Sequence, residues 1–477
     1  MMLPWFEIFV VSYLLWVLAA CVTLLMERRS PTATLAWIFA FIAIPVVSGL
    51  YYMVFGPRRL HRRRRRYNIA RVALAHKRAA EEASAGCVLP PDAEGLAAVA
   101  KRLGQGEPTF ASAVKLLDDG DQTMQALEER IAAAKHHVHM EYYIWEPDEV
   151  GTHFRDILVE AVARGVEVRV LYDALGSPNV NKTFWAPLRE AGGHVLAFNP
   201  VRISVASLNF ANFRTHRKIA VCDGLYGFLG GINLHDPATP TRSGKNAWRD
   251  QHARIDGEPA HRIQRLFLEN WNYSGGDFRL NSHNFAKYFP AARVGEGIPV
   301  QILNSGPDDT NAPIHAFFLA AFSTARVRIL IETPYLIPDE PMESALRIAD
   351  LRGVDVQVIV PKVGDSRIVS AASRTYCESM RKAGIKVYEY GPPMLHAKTM
   401  VIDETVGIVG TANLDNRSFR LNFEIAAAFY DKATIDRLVK RFEADREVSR
   451  VFPAKRRRSE KLTAIFESVA RLTSPVL

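Results

Sequence analysis

The 477-residue chain lacks paired cysteines, zinc-type spacings and, over most of its length, net charge. Its four cysteines, Cys21, Cys87, Cys222 and Cys377, are scattered with no CxxC pair among them. That pattern argues against a disulfide framework or a cysteine-based metal centre and predicts free thiols in a reducing compartment. The net charge of +9 sits almost entirely at one end: nine Arg against Glu7 and Glu27 give residues 1–67 a charge of +7, leaving +2 for the other 410. Lys455, Arg456, Arg457 and Arg458 more than account for that remainder. A body so close to neutral is a poor surface for a long polyanion, so nucleic acid is not an expected partner.

Long apolar runs are present, and they lead the chain. Trp5–Met26 is 22 residues with Glu7 as its only charge, and Leu35–Phe55 is 21 residues with none. Roughly 20 apolar residues cross a ~30 Å hydrocarbon core as helix. The spacing therefore predicts a transmembrane hairpin turned by Glu27, Arg28, Arg29, Ser30 and Pro31. The first run has no basic residue before Arg28 and is too long for a cleavable signal peptide. Seven Arg in nine positions, Arg58 to Arg66, follow the second run. By the positive-inside rule they keep the rest of the chain cytoplasmic, and they would attract anionic headgroups. A nucleic-acid or nuclear-localisation patch is the competing reading, disfavoured by the adjoining hairpin. Pro45 and Gly49 raise the alternative of a re-entrant second segment.

Beyond the connector 68–105 the sequence repeats itself. Val138–Ile144 reads as a buried strand, Thr152–Ala163 as an amphipathic helix, and Arg164-Gly165 as a helix stop before the strand Val166–Val170. Arg326–Glu332, Met342–Asp350 and Arg352-Gly353 before Val354–Val358 follow the same order. This predicts an α/β fold: two pseudo-two-fold related lobes, 106–290 and 291–454, each with a mixed or parallel sheet, after a membrane region 1–67. The basic tail 455–477 carries a helix, Glu460–Leu472, that either lies on a bilayer or packs on the body.

The strongest repeat is chemical. His216, Lys218 and Asp223 form a His-x-Lys-x4-Asp motif that recurs 180 positions later as His396, Lys398 and Asp403. Each copy is followed by a Gly-rich turn and an Asn, at Asn233 and Asn413. Lys218–Cys222 and Lys398–Ile402 read as short strands, which puts the His and Lys of each motif two apart on one strand face. Attack on a phosphodiester needs a nucleophile, cations to offset its charge and an acid for the leaving oxygen. One His can form a phosphohistidine while the other moves the proton. The two Lys would grip the non-bridging oxygens, and the two Asn would donate to charge developing in the transition state. This scheme needs no metal and no cofactor.

The candidate catalytic set is thus His216, Lys218, Asp223, His396, Lys398 and Asp403, with Asp223 and Asp403 read as carboxylates that brace the lobes. Asp250, 34 residues after His216, and Glu424, 28 after His396, are candidates to fix the imidazole tautomers. His136, His137, His139 and His153 read as surface or packing residues, Tyr142, Tyr143, Trp145 and Phe154 as core aromatics, and Cys222 as a packing thiol.

These motifs resemble the signature of the phospholipase D superfamily. More narrowly, the chain resembles the bacterial cardiolipin synthases, on Thr215–Ile219, Trp248-Arg249-Asp250, Phe267–Trp271, Thr333–Asp339, Leu395–Thr399, Asn413–Phe419 and Ala470–Pro475, with the hairpin in place. The resemblance implies phosphatidylglycerol as donor and acceptor, His216 as nucleophile with His396 as acid and then base, and residence in the bacterial cytoplasmic membrane. Thr215 stands where Asn is commoner in the family and Thr411 where Ser is usual. The Pro-rich, basic stretch His235–Asn246 departs from the pattern and bears on the choice of acceptor alcohol. The competing functions are a phospholipase or nuclease of the same superfamily and a non-catalytic membrane scaffold.

Overall fold

The computed structural model describes residues 3–26, 31–55, 87–200, 212–292, 297–453 and 461–474. The Arg cluster at 58–66, the connector up to 86 and the basic run 455–458 lie outside these residues. The described helices before residue 56 belong to one unit, and 87–200 with 213–474 belong to another.

In the first unit, Leu3–Met26 is a single helix of 24 residues, and its Glu7–Met26 stretch is long and apolar enough to cross a membrane. The second apolar run does not form one helix. It breaks into Pro31–Ala43 and Pro45–Phe55, of 13 and 11 residues. Pro45 lacks the N–H that would continue the ladder, and its ring crowds the preceding turn. The pieces pack through aromatic edges, with Trp16 on Phe41 at 5.3 Å and Trp37 on Tyr52 at 5.0 Å.

The second unit is built on one sheet. The first half of the chain contributes β1 (Thr109–Leu117), β2 (His137–Tyr142), β3 (Glu167–Asp173), β4 (His194–Phe198), β5 (Ile219–Cys222), β6 (Tyr226–Gly230) and β7 (His252–Gly257). The second half contributes β8 (Ile298–Ser305), β9 (Arg328–Glu332), β10 (Leu336–Ile337), β11 (Asp355–Pro361), β12 (Lys386–Tyr390), β13 (Thr399–Ile402), β14 (Val406–Gly410), β15 (Leu414–Asp415), β16 (Glu424–Phe429) and β17 (Arg450–Val451).

Fifteen of these strands pair in the order β4-β3-β2-β5-β6-β7-β1-β8-β16-β14-β13-β9-β11-β12-β17, while β10 and β15 form a separate ribbon. Reading outward from the antiparallel β1–β8 join, both directions give the same seven-strand plan, with β17 an extra edge strand in the second lobe, so the repeat becomes a pseudo-two-fold axis through that join. Three strands in each lobe run parallel, β2-β3-β4 and β9-β11-β12, and the rest of the sheet is antiparallel. The expected separate sheets are thus one continuous mixed sheet.

Where both faces of this sheet are covered, strands such as β5 and β14 are apolar at every position. Along β5, Ile219 and Val221 enter a core shared by the two lobes, while Ala220 and Cys222 enter a core on the other face belonging to the first lobe. The shared core is closed by helices Glu258–Tyr273 and Lys432–Glu447. Helices Gly120–Ala133 and Glu149–Ala163 cover the other face of the first lobe. Pro313–Thr324, Glu340–Leu351 and Arg367–Lys382 do so in the second. The Arg-Gly turns end helices in both lobes, with Gly165 and Gly353 at φ +86° and +85°. Past residue 86 the stretch expected as connector includes helix Pro91–Arg102, whose Ala93, Leu96, Ala97 and Ala100 pack into the second lobe's core.

Helix Lys461–Arg471 packs through Glu467 and Ala470 and leaves Phe466, Val469 and Leu472 exposed. The four cysteines are unpaired, with Cys222 and Cys377 buried.

Candidate active site

The His and Lys of each motif lie just before β5 and β13, not within them. What keeps these lead-in segments extended is the opposite lobe. Thr215 bridges to Phe423, and the His216 N–H donates to the Phe423 carbonyl at 3.0 Å. Leu395 bridges to Arg249, and the His396 N–H donates to the Arg249 carbonyl at 2.7 Å.

The same crossing sets the side chains. His216 Nδ1 lies 3.1 Å from both Glu424 oxygens, and His396 Nδ1 lies 2.6 Å from Asp250 Oδ2. Each imidazole is therefore oriented by a carboxylate from the other lobe, whereas position in sequence would have paired Asp250 with His216 and Glu424 with His396. A ring whose Nδ1–H is given to a carboxylate keeps its lone pair on Nε2.

The residues behind the two carboxylates differ. A Cβ on Gly231 would stand 2.0 Å from Asp250 Oδ1, so only glycine leaves that carboxylate its place. At the matching position Thr411 instead donates its hydroxyl to Glu424, and Asn422 Nδ2 donates to Glu424 Oε1 at 3.1 Å.

Four groups that carry positive charge when protonated are buried around this seam: His216, His396, Lys218 and Lys398. Burial, and then Lys218 and Lys398, push His216 well below its ordinary pKa. Burial and Lys398 also lower His396, against the pull of Asp250. Lys218 falls well below its usual value through burial and the nearby Lys398, and burial brings Lys398 down to about 8 despite Asp250 and Glu424. Burial would raise Asp250, but His396 and Lys398 outweigh it and hold the carboxyl low. Burial pushes Glu424 up to about 7 against Lys218. Mutually repelling cations around one point are stabilised by an anion placed among them. Lys218 Nζ donates to the His216 carbonyl at 2.8 Å, and Lys398 Nζ lies 3.0 Å from His396 Nδ1.

Asn233 and Asn413 follow β6 and β14. Asn233 Oδ1 accepts from the Ile144 N–H at 3.1 Å, and Asn413 Nδ2 donates to Asp415 Oδ2 at 3.1 Å. Asp223 and Asp403 lie at the far ends of β5 and β13, each with positive φ. Asp223 accepts from the N–H groups of Lys135, His136 and His137, and Asp403 from those of Arg326, Val327 and Arg328, all between 2.8 and 3.0 Å. They hold the entries to β2 and β9.

Tyr142, Trp145 and Phe154 are core residues, but Tyr143 is not. Its ring lies edge-on to His216 at 5.0 Å, and Lys218 Nζ stands 5.1 Å from its centre. Trp248 borders His396 at 5.1 Å and touches His235 at the same distance. His137 and His139 are fully buried, whereas His153 is exposed and pairs with Glu128. The stretch 235–246 is tied to the first lobe's helices: Asp236 accepts from Val150 N–H, Thr241 donates to Asp121 and Arg242 pairs with Glu149.

Buried ion pairs hold the loops that carry these groups. Arg214 meets Asp173 at 3.1 Å, and Asp173 also accepts from Thr215 N–H, just before His216. Arg249 meets Asp445 across the lobes at 2.7 Å, next to Asp250. Fold and site together define a two-lobed phosphodiester-processing enzyme with a duplicated His-x-Lys half-site.

Comparison with known proteins agrees. A family profile described as "Cardiolipin synthase, PLD-like domain" matches residues 127–271 and 318–446, and "Phospholipase_D-nuclease N-terminal" matches 14–57. The chain is 38% identical to the major cardiolipin synthase ClsA of Bacillus subtilis over 98% of both chains. It is 37% identical to cardiolipin synthase 1 of Bacillus anthracis, over 94% of this chain and 90% of that one. A phosphatidylserine synthase of Haemophilus influenzae shares the fold at a TM-score of 0.58 and 15% identity, covering 79% of this chain and all of that one. The chain belongs to the cardiolipin synthase family of phospholipase D-like phosphatidyltransferases.

Proposed function

We propose that the chain joins two phosphatidylglycerol molecules into a four-chain lipid with release of glycerol, using one site shared by the lobes. The observation that carries this reading is the crossed pair of carboxylate-oriented imidazoles among buried lysines. His216, neutral because its pKa is depressed, attacks phosphorus through Nε2. The P–O bond to glycerol breaks, and His396 delivers a proton to the leaving oxygen. The phosphodiester anion itself raises the pKa of His396 on binding, which prepares it as an acid. In the second half, His396 takes the proton of the acceptor hydroxyl as its oxygen bonds phosphorus and the P–N bond breaks. Lys218 and Lys398 bind the non-bridging oxygens, and the amides of Asn233 and Asn413 donate to them. Asp250 and Glu424 position the rings, while Asp223 and Asp403 brace the lobes, 106–290 and 291–454.

The apolar helices before residue 56 anchor the chain in the bacterial cytoplasmic membrane as a multi-pass protein, with the Arg cluster and the catalytic lobes on the cytoplasmic side. Purified full-length protein given phosphatidylglycerol should release glycerol and form the four-chain lipid. Phosphatidic acid as the sole product, with acceptor lipid in excess, would overturn the transferase reading.

A further inference from the structure

The loop after β11 brings a carboxylate to the rim of this site. Asp365 is exposed, and its two oxygens accept from the phenol of Tyr335 at 2.7 and 2.8 Å. Tyr335 is fixed in turn: the Thr333 hydroxyl donates to its carbonyl at 3.0 Å, and the next residue, Leu336, pairs with Leu414, one position past Asn413. The charge on Asp365 acts on Lys398 and on Tyr143, the residue whose ring meets His216. Among the described residues no basic side chain forms an ion pair with it. The interior of the site is cationic and suits one phosphate. A carboxylate at the mouth favours a hydrogen-bond donor such as a hydroxyl, and with four lone-pair positions it has capacity beyond the single phenol proton.

We propose that Asp365, held in place by Tyr335, binds the glycerol head group of the acceptor lipid through its secondary hydroxyl and so presents the terminal hydroxyl for attack. This rests on the phosphatidyl-transfer reading. The terminal oxygen bonds phosphorus, the bond from phosphorus to His216 breaks, and the hydroxyl proton passes to His396. Asp365 takes no part in these bonds. It is a specificity residue that decides whether the phosphatidyl-enzyme meets an alcohol or water.

The test measures how that intermediate partitions. Full-length wild type, Asp365→Asn and Tyr335→Phe, in mixed micelles of acyl-labelled phosphatidylglycerol, are assayed for four-chain lipid and phosphatidic acid. The ratio of the two is independent of how fast the intermediate forms. It should fall about tenfold or more in Asp365→Asn, the size of one hydrogen bond to a charged group, and less in Tyr335→Phe. An acceptor lipid with a 1,3-propanediol head group, which lacks the secondary hydroxyl, should be disfavoured by wild type and accepted no worse by Asp365→Asn. An unchanged ratio, or equal loss of both products, would overturn the proposal, the second outcome making Asp365 only a support for Lys398. If loss of the carboxylate instead impaired only an ethanolamine lipid, the diol assignment would be wrong. Wild type forming neither product would refute the transfer reading itself.

Discussion

Gly231→Ala should disable the enzyme without touching any group that contacts substrate. The added methyl would lie 2.0 Å from Asp250 Oδ1 and 2.7 Å from its Cγ, against a floor near 3.0 Å for real contacts. The carboxylate or the Gly231 backbone must therefore shift by about 1 Å. That backbone is pinned by its N–H donating to the Gln251 carbonyl at 2.9 Å, so Asp250 yields first and loses its 2.6 Å contact with His396. With that support gone His396 is misplaced, and a misplacement of about 1 Å at the reacting groups costs on the order of 100-fold in rate, while overpacking a buried site costs about 1–3 kcal/mol of stability. Steady-state assay of glycerol release should show kcat falling by about that factor with KM little changed, and thermal melting should show a modest drop in Tm. Gly95→Ala is the control. It lies in a helix with nothing within 4 Å of the new methyl, so activity should hold and stability should rise by about 0.5–1 kcal/mol. A folded Gly231→Ala protein with wild-type kcat would refute the claim that Asp250 positions His396.

Activity should decline as pH rises through about 8, where Lys398 loses its proton and its grip on phosphate, and a pH profile of kcat/KM flat to pH 9.5, about one and a half units beyond, would contradict this. Buried neutral His137 and His252, both held down to about 3, predict the opposite limb for stability. Between roughly pH 6.5 and 3 the unfolded chain binds the protons these rings refuse. Each therefore removes about 2 kcal/mol on acidification from pH 6.5 to 5, and His137→Leu should flatten the dependence of Tm on pH. Asp445→Ala, which strips the buried Arg249 of its closest carboxylate, should cost about 3–5 kcal/mol in chemical denaturation.

The α/β class, the duplicated lobes and the apolar leader were legible because each rests on local pattern. Alternation, Arg-Gly helix stops and the repeated His-x-Lys spacing are all short-range signals. What the sequence hid is long-range. That Thr215 bridges Phe423 and Leu395 bridges Arg249 follows from the β1–β8 join, and no spacing reveals that Glu424 serves His216 while Asp250 serves His396. Tyr143 was hidden for another reason. It closes an apolar strand and reads as core, yet β2 ends one residue earlier and releases it toward the seam. Pro45 did signal the break in the second apolar run, but composition alone reads through it as a continuous span. Helix Pro91–Arg102 shows its amphipathic spacing plainly, though the partner for its apolar face lies some 200 residues downstream in the second lobe.

Trapping the covalent intermediate tests the central claim most directly. With phosphatidylglycerol labelled at phosphorus, the His396→Asn variant should accumulate acid-labile label on His216, and His216→Asn should hold none. Label retained in His216→Asn and mapped to His396 would reverse the two roles, and absence of any phosphohistidine from a turning-over enzyme would contradict the covalent mechanism.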